Sequence, residues 1–209
     1  MIRTTAFIVA TLLGAGPAFA HHPLGGAPMA TFADGLFSGV AHPVLGFDHL
    51  FFIAAVGLAA RLSGRALTGP LAFVLPMAAG VLLVAQGAEP PFIEPLIAVT
   101  LLVLGLLLAR GRDFSAALAL SLFAVAGLIH GAAFGAALGG VEAAAALPVT
   151  LGYLAGLGAL QWALAAGFGM LAAWSAGRAR LAGAAVAGVG AFLLLEHAEG
   201  AAMAAFGLG

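Results

Sequence analysis

The sequence predicts an all-α integral membrane protein: a bundle of six transmembrane helices behind a cleaved N-terminal signal peptide, with both mature termini in the periplasm. The first observation is composition, since 64% of the 209 residues are hydrophobic and 7% are charged, whereas a soluble domain has roughly 25% charged residues. The second is a mean hydropathy of +1.18, concentrated in long apolar runs joined by short loops. Cysteine is absent, which excludes disulfides and thiolate metal sites.

Residues 1–20 are predicted to be the signal peptide. Arg3 is the basic flank, residues 6–16 form the apolar stretch, and Ala18-Phe19-Ala20 fits an A-x-A cleavage site. An uncleaved extra span is the alternative, although the apolar stretch is shorter than the roughly 20 residues that cross a bilayer. Cleavage at this site starts the mature chain at His21.

The mature chain is predicted to have two parts. Residues 21–43 form a periplasmic segment with several glycines and prolines and a short interfacial helix around 32–37. Residues 44–209 form one transmembrane domain, because each apolar run approaches or exceeds the roughly 20 residues needed to cross the hydrocarbon. Helices are expected, since backbone groups in lipid must be hydrogen-bonded within the protein. The six predicted spans are 44–60, 67–87, 92–109, 114–138, 148–175 and 181–206.

The arginines predict the orientation. Every arginine of the mature chain lies in the first, third or fifth loop, whereas the even-numbered loops contain acids and no base. The positive-inside rule places the arginine-bearing loops in the cytoplasm, which leaves both mature termini outside, as a cleaved signal peptide requires. The expected location is the bacterial inner membrane, crossed several times. The arginines are Arg61, Arg65, Arg110, Arg112, Arg178 and Arg180, and the acids are Glu89, Glu94 and Glu142.

Two predicted spans carry stripes of glycine with a period of four residues. Small residues at this spacing let another helix approach closely. They indicate tight packing within the bundle or, alternatively, a contact between copies in a homo-oligomer. The glycines are Gly127, Gly131, Gly135 and Gly139 in span four, and Gly152 and Gly156 in span five.

Ionisable side chains occur in three of the predicted spans, where they are costly and usually mark a site or pathway. At about 1.5 Å per residue, Asp48 and His49 lie roughly 7–10 Å below the outer surface, His130 lies about 24 Å from the inner side, and Glu196 lies about 22 Å along span six. In a hydrocarbon core of about 30 Å these depths agree, which predicts one shared site in the outer half. The candidate residues are His42, Asp48, His49, His130, Glu196 and His197, with Glu199 as a weaker candidate.

Imidazole and carboxylate ligands suit a divalent ion such as Ni²⁺, Co²⁺ or Zn²⁺. His42 and His49 are seven residues apart, so a straight helix would separate them by roughly 10 Å along its axis. Either Pro43 and Gly46 break the helix, which we favour, or His42 is a separate entry ligand. Asp48 could bind the ion or orient a histidine ligand. A packing or capping role is the alternative for each residue, and an interfacial position is the alternative for the acids of span six.

Two further features of the sequence favour the binding of cations. The mature start would carry His21 and His22, which are weaker candidate metal ligands. The predicted outer surface is acidic, and an acidic mouth concentrates cations, although positive-inside sorting alone would also leave acids there. These acids are Asp34, Glu89, Glu94 and Glu142.

The chain resembles the HupE/UreJ family of hydrogenase and urease accessory membrane proteins, regarded as nickel permeases. The resemblance rests on the signal peptide, the six spans without cysteine and the motif H-P-x-x-G-x-D-H from His42 to His49. The second family motif, F-H-G-x-A-H-G-x-E, reads 129-IHGAAFGAA-137 here. His130 matches, whereas Phe134 replaces the second histidine and Ala137 replaces the acid. Glu196 and His197 could supply the missing ligands.

The resemblance implies a divalent metal permease, for nickel or alternatively cobalt, that takes ions from the periplasm. The alternative is a non-transporting accessory protein that binds metal for hydrogenase or urease maturation and hands it to a metallochaperone. A haem protein with His49 and His130 as ligands is less favoured, because neither helix has a further histidine at suitable spacing. No enzyme activity or nucleic-acid partner is expected, and no nucleotide-binding loop is present.

Overall fold

The computed structural model describes residues 28–111, 115–171 and 176–207, and these ranges fold into α-helices and one 3₁₀ turn. The predicted signal peptide, His21, His22 and Arg112 lie outside the described residues. The helices are α1 (Phe32–Leu45), α2 (Phe47–Leu62), α3 (Leu71–Ala85), α4 (Ile93–Arg110), α5 (Ala116–Gly135), α6 (Ala146–Leu171) and α7 (Ala176–Ala205), and the 3₁₀ turn Ala136–Leu138 follows α5.

Four of these helices are long and apolar enough to cross a membrane, namely α4, α5 with its 3₁₀ turn, α6 and α7. The bent pair α1 and α2 passes the same test together, which makes up to five spans within the described residues. The predicted second span, 67–87, is helical over Leu71–Ala85, a shorter apolar helix. The described residues therefore form an all-α structure with four or five helices able to span a membrane, and the count of six remains a prediction.

The first predicted span is a broken helix. Thr31 and Asp34 form a capping box that starts α1, which satisfies two of the free N–H groups at a helix start. The helix continues through Pro43 and ends at Gly46, whose backbone is extended at φ −91° and ψ 103°. There the chain bends by 84° into α2. The predicted break is confirmed at Gly46, and α1 is longer than the expected helix at 32–37.

Three pairs of helices pack closely, and glycine allows it in each. In α3–α5, Gly127 and Gly131 face the backbone of Phe73 and Met77. In α1–α6, Gly35 and Gly39 meet the backbone around Tyr153, and in α4–α7, Gly105 meets Ala187. Gly152 and Gly156 also face α1, and Gly135 faces α3, whereas a Cβ at Gly139 would meet only the carbonyl of Ala136. Most of the stripe glycines therefore pack within the chain, and a homo-oligomer remains a prediction.

The direction of each pair follows from these contacts. Along α3–α5 the contacts advance from Phe73 with Gly127 to Met77 with Gly131, so the two helices are parallel. The same holds for α1–α6. In α4–α7 the partners run in opposite directions, since Gly183 lies beside Ala109 and Gly190 lies beside residues earlier in α4. These relative directions are the ones that the six predicted crossings would give, and that topology remains a prediction.

Helix α2 is the centre of the bundle and contacts α4, α5, α6 and α7. Nearly every residue from Phe52 to Ala60 is buried, as expected for a helix that is apolar on all sides. The core also holds Gln161 of α6, which is fully buried and has no hydrogen-bond partner for either amide atom among the described residues. Burying such a group costs free energy.

The close packing at some glycines predicts that the effect of a Gly→Ala substitution on the free energy of unfolding depends on its position. A Cβ at Gly57 would overlap the carbonyl oxygen of Ala165, whereas a Cβ at Gly188 would meet nothing within 4 Å. Gly57→Ala should lower the free energy of unfolding by about 1–3 kcal/mol through overpacking, and Gly188→Ala should leave it unchanged or slightly higher. Thermal unfolding in detergent measures both, and equal melting temperatures would contradict the packing described.

The buried amide predicts a gain in stability when it is removed. Gln161→Leu should raise the free energy of unfolding by about 1–3 kcal/mol, because an apolar side chain of similar size has no hydrogen bonds to lose. Gln86 is exposed and donates to the carbonyl of Leu82 at 3.0 Å, so Gln86→Leu is the matched control and should give no gain. A lower melting temperature for Gln161→Leu would show that the amide has a partner in the folded protein.

Candidate functional site

Two histidines from helices distant in the chain meet in the core. His49 lies in the first turn of α2 and His130 lies late in α5, and their Nδ1 atoms are 3.2 Å apart. The side chains are nearly excluded from the surface, with residue exposures of 8% and 0%. Phe52 stacks on the His130 ring with a centroid distance of 4.3 Å. The predicted association of His49 with His130 is therefore present, in apolar surroundings.

Thr100 of α4 determines which nitrogen of His130 carries the hydrogen. Its hydroxyl lies 2.7 Å from the carbonyl oxygen of Ile97 and 2.9 Å from His130 Nε2. A hydroxyl has one hydrogen, and the carbonyl can only accept it. The threonine oxygen therefore accepts from His130 Nε2–H, which leaves the lone pair of Nδ1 directed to His49.

His42 of α1 is held by a second hydroxyl. Tyr153 of α6 donates to the backbone carbonyl of Phe134 at 3.0 Å, and its oxygen lies 2.9 Å from His42 Nδ1. By the same reasoning His42 Nδ1–H donates to the tyrosine, and Nε2 keeps a lone pair. The bend at Gly46 places the ring of His42 with its centroid 6.3 Å from that of His49.

Phe134 occupies the centre of this cluster. Its ring centroid lies 5.1 Å from that of His42 and 4.4 Å from that of His49. Phe134 stands where the second family motif has a histidine, so in this chain an apolar ring packs against both imidazoles.

A cavity of about 320 Å³ opens beside the histidines. Asp48 is one of its acids, and its Oδ2 lies 3.7 Å from His49 Nδ1. His130 does not line the cavity. Because His49 lines the cavity and contacts His130, it lies between the two. The lining residues are His42, Asp48, His49, Glu94, Ala133, Ala136 and Ala137.

The acids and histidine of the last span do not join this cluster. Glu196 and Glu199 are exposed and His197 is half-buried in the last turns of α7, and none of them lines the cavity. Over the described ranges, no three His, Asp or Glu side chains lie close enough to hold one metal ion together. The structure therefore brings together His42, Asp48, His49 and His130. Metal ligation by any of the predicted residues remains a prediction.

The sequence analysis did not identify three residues that belong to the site. Thr100 and Tyr153 are hydroxyl groups within apolar helices, where a buried hydroxyl needs a partner, and that signal alone could have marked them. Glu94 was placed on the acidic outer surface and was not assigned to the site. Its presence in the cavity lining depends on how α4 packs beside α2 and α5, which hydropathy does not report.

Comparisons with known proteins identify the family of this chain. The sequence model of the HupE / UreJ protein family matches residues 9–193. Protein HupE of Rhizobium leguminosarum bv. viciae is 36% identical over 186 residues, which cover 86% of this chain and 92% of that protein. No solved structure gives a significant match.

The hydroxyl that contacts His130 predicts a stability effect. Thr100→Val keeps the shape of the side chain but removes the partner of His130 Nε2, so the free energy of unfolding should fall by about 1–3 kcal/mol. Thr150 is a half-buried threonine of α6 whose side chain makes no hydrogen bond with any residue that the structure describes, and Thr150→Val should cost little. Thermal unfolding of the two purified variants decides this, and equal stabilities would remove the role given to Thr100.

Proposed function

Since the chain belongs to the HupE / UreJ family, we propose that it is a permease for a divalent metal ion, with nickel as its first candidate and cobalt as the alternative. The ion enters from the periplasm through the cavity beside His49. The observation that carries this proposal is the contact between His49 Nδ1 and His130 Nδ1 at 3.2 Å. Paired intramembrane imidazoles next to acids are the chemistry expected of an ion pathway.

The separation of the two nitrogens suits one metal ion. Imidazole nitrogens bind such ions at about 2.0–2.1 Å, so two neighbouring ligands on one ion lie roughly 2.9–3.4 Å apart. The distance between His49 and His130 falls in this range. A divalent ion can therefore take the place of the shared hydrogen with little change in that distance. Two histidines on opposite sides of a haem iron would instead lie about 4 Å apart, which disfavours haem.

The order of groups gives a path for the ion. The carboxylates of Asp48 and Glu94 attract cations into the cavity, His49 receives the ion at the cavity wall, and His130 lies one contact further inside. The rings of Phe52 and Phe134 limit water around the pair, which strengthens the attraction between ion and ligand. The membrane potential can supply the driving force, since a divalent ion gains about 4.6 kcal/mol per 100 mV.

A second candidate is a metal-binding accessory protein that does not transport. It would bind the ion at the same site and pass it to a metallochaperone for hydrogenase or urease maturation. Two observations favour it: Phe134 lies against both imidazoles where a ligand could continue the path, and no group of three ligands is formed within the described residues. It differs from the first candidate in predicting binding without accumulation.

Uptake of radioactive nickel by cells that express the protein tests the proposal. His49→Ala and His130→Ala should each lower accumulation at least about tenfold, because each removes one of two ligands. His197→Ala removes an imidazole that does not line the cavity and should leave uptake near the wild-type level. Accumulation that is the same in wild type and in all three variants would contradict the proposal. Binding to purified protein without accumulation would favour the accessory role.

A further inference from the structure

Gln161 of α6 is a buried polar residue that the histidine site does not explain. Its side chain is fully buried, and neither amide atom has a hydrogen-bond partner among the described residues. Nearly all buried polar groups in proteins are hydrogen-bonded, and one that is not points to a role such as contact with an ion or water. A leucine of similar size would fill the same space without the cost of burying an amide.

Helices α2 and α6 run parallel where they pack. A Cβ at Gly57 would overlap the carbonyl oxygen of Ala165, and a Cβ at Gly169 would lie 3.5 Å from the Cβ of Arg61. Four residues further along α2 therefore correspond to four residues further along α6. Gln161 precedes Ala165 by four residues, so it lies on nearly the same face of α6, which is the face towards α2.

This register places Gln161 beyond the histidine pair. One turn before the contact of Gly57, α2 has Ile53 at the level of Gln161, and another turn earlier it has His49. Gln161 therefore lies about 6 Å further along the axis of α2 than His49. The cavity opens at the start of α2, so Gln161 lies on the other side of His49, towards the end that carries Arg61. In the predicted topology that end is cytoplasmic.

Gln161 also marks a boundary within the core. The buried apolar residues form two clusters, and α6 contributes Tyr153 and Leu157 to one of them and Ala165 to the other. Gln161 lies between these contributions along the helix. The apolar face of α6 is therefore interrupted at this residue, which offers a polar contact within otherwise apolar surroundings.

We propose that Gln161 is the next ligand of the ion after the histidine pair. Its side-chain oxygen receives the ion as it leaves His49 and His130 towards the arginine-bearing end of α2. This inference rests on the proposed function, because it concerns the onward path of the same ion. No hydrogen bond to a described residue has to break before the amide contacts the ion.

A carboxamide suits a step from which the ion must leave again. Imidazole is a good ligand for nickel, whereas carbonyl oxygen is preferred by harder ions and binds nickel more weakly. Conduction needs sites that bind strongly enough for entry and weakly enough for exit. The two imidazoles capture the ion, and the neutral oxygen of Gln161 then lowers the cost of burying its charge in the apolar layer beyond them.

Uptake, binding and stability together test this step. Gln161→Leu removes the oxygen at similar size, and uptake of radioactive nickel by cells should fall at least about tenfold. The purified variant should still bind nickel chloride with a Kd close to that of the wild type, because the histidine pair is intact. Its melting temperature should be equal or higher, because the unpartnered amide is gone.

Two further variants separate a ligand from a structural role. Gln86→Leu removes an exposed glutamine that donates to the carbonyl of Leu82, and its uptake should equal that of the wild type. Gln161→Asn keeps the carboxamide and should retain more uptake than Gln161→Leu.

Wild-type uptake by Gln161→Leu would overturn the assignment. A loss of uptake that comes with a lower melting temperature or with loss of nickel binding would also overturn it, because the amide would then support the fold or the histidine site. Equal losses in Gln161→Asn and Gln161→Leu would contradict the role given to the oxygen.

Failure of this inference differs from failure of the proposed function. If His49→Ala abolishes uptake and Gln161→Leu does not, the histidine site stands and Gln161 has no part in the path. If cells that express the wild-type protein accumulate no nickel, the permease is overturned together with the step assigned to Gln161.

Discussion

The site depends on the break in the helix at Gly46. An unbroken helix would hold His42 and His49 roughly 10 Å apart along its axis, whereas the 84° bend brings their ring centroids to 6.3 Å. Glycine is needed there for space, because a Cβ would lie 2.8 Å from Cδ2 of His49 and 3.2 Å from Oδ1 of Asp48. His42 before the break and Asp48 after it line the cavity, and irregular backbone at membrane depth is tolerated beside a cavity of this kind.

Hydroxyl groups outside the predicted set hold the imidazoles in place. Thr100 and Tyr153 each give their hydrogen to a backbone carbonyl and accept from a histidine. Each histidine thereby keeps a lone pair on its other nitrogen. Partners of this kind orient metal-binding histidines in proteins generally. The family membership and this arrangement together support metal handling as the function.

Much of the fold could be predicted from hydropathy, and part of the site from depth. The apolar runs, the break near Pro43 and Gly46, and the meeting of His49 with His130 all followed from residue spacing. Depth along a helix does not show which other helix a given side chain faces. Glu196 was therefore expected beside His130, although α7 packs chiefly on α4. For the same reason the sequence did not reveal that Glu94 lines the cavity, because that position depends on how α4 packs. The shortness of α3 was also missed, since Pro70 and Gly87 bound the helix more tightly than the apolar run suggests.

X-ray absorption at the nickel edge, on purified protein loaded with one equivalent of nickel, tests the central claim most directly. If His49 and His130 bind one ion, the spectrum of the wild type should show imidazole scattering from two rings at metal–nitrogen distances of about 2.0–2.1 Å. His130→Ala should then show one ring fewer. A spectrum without imidazole scattering, or one that is the same in wild type and His130→Ala, would contradict the account.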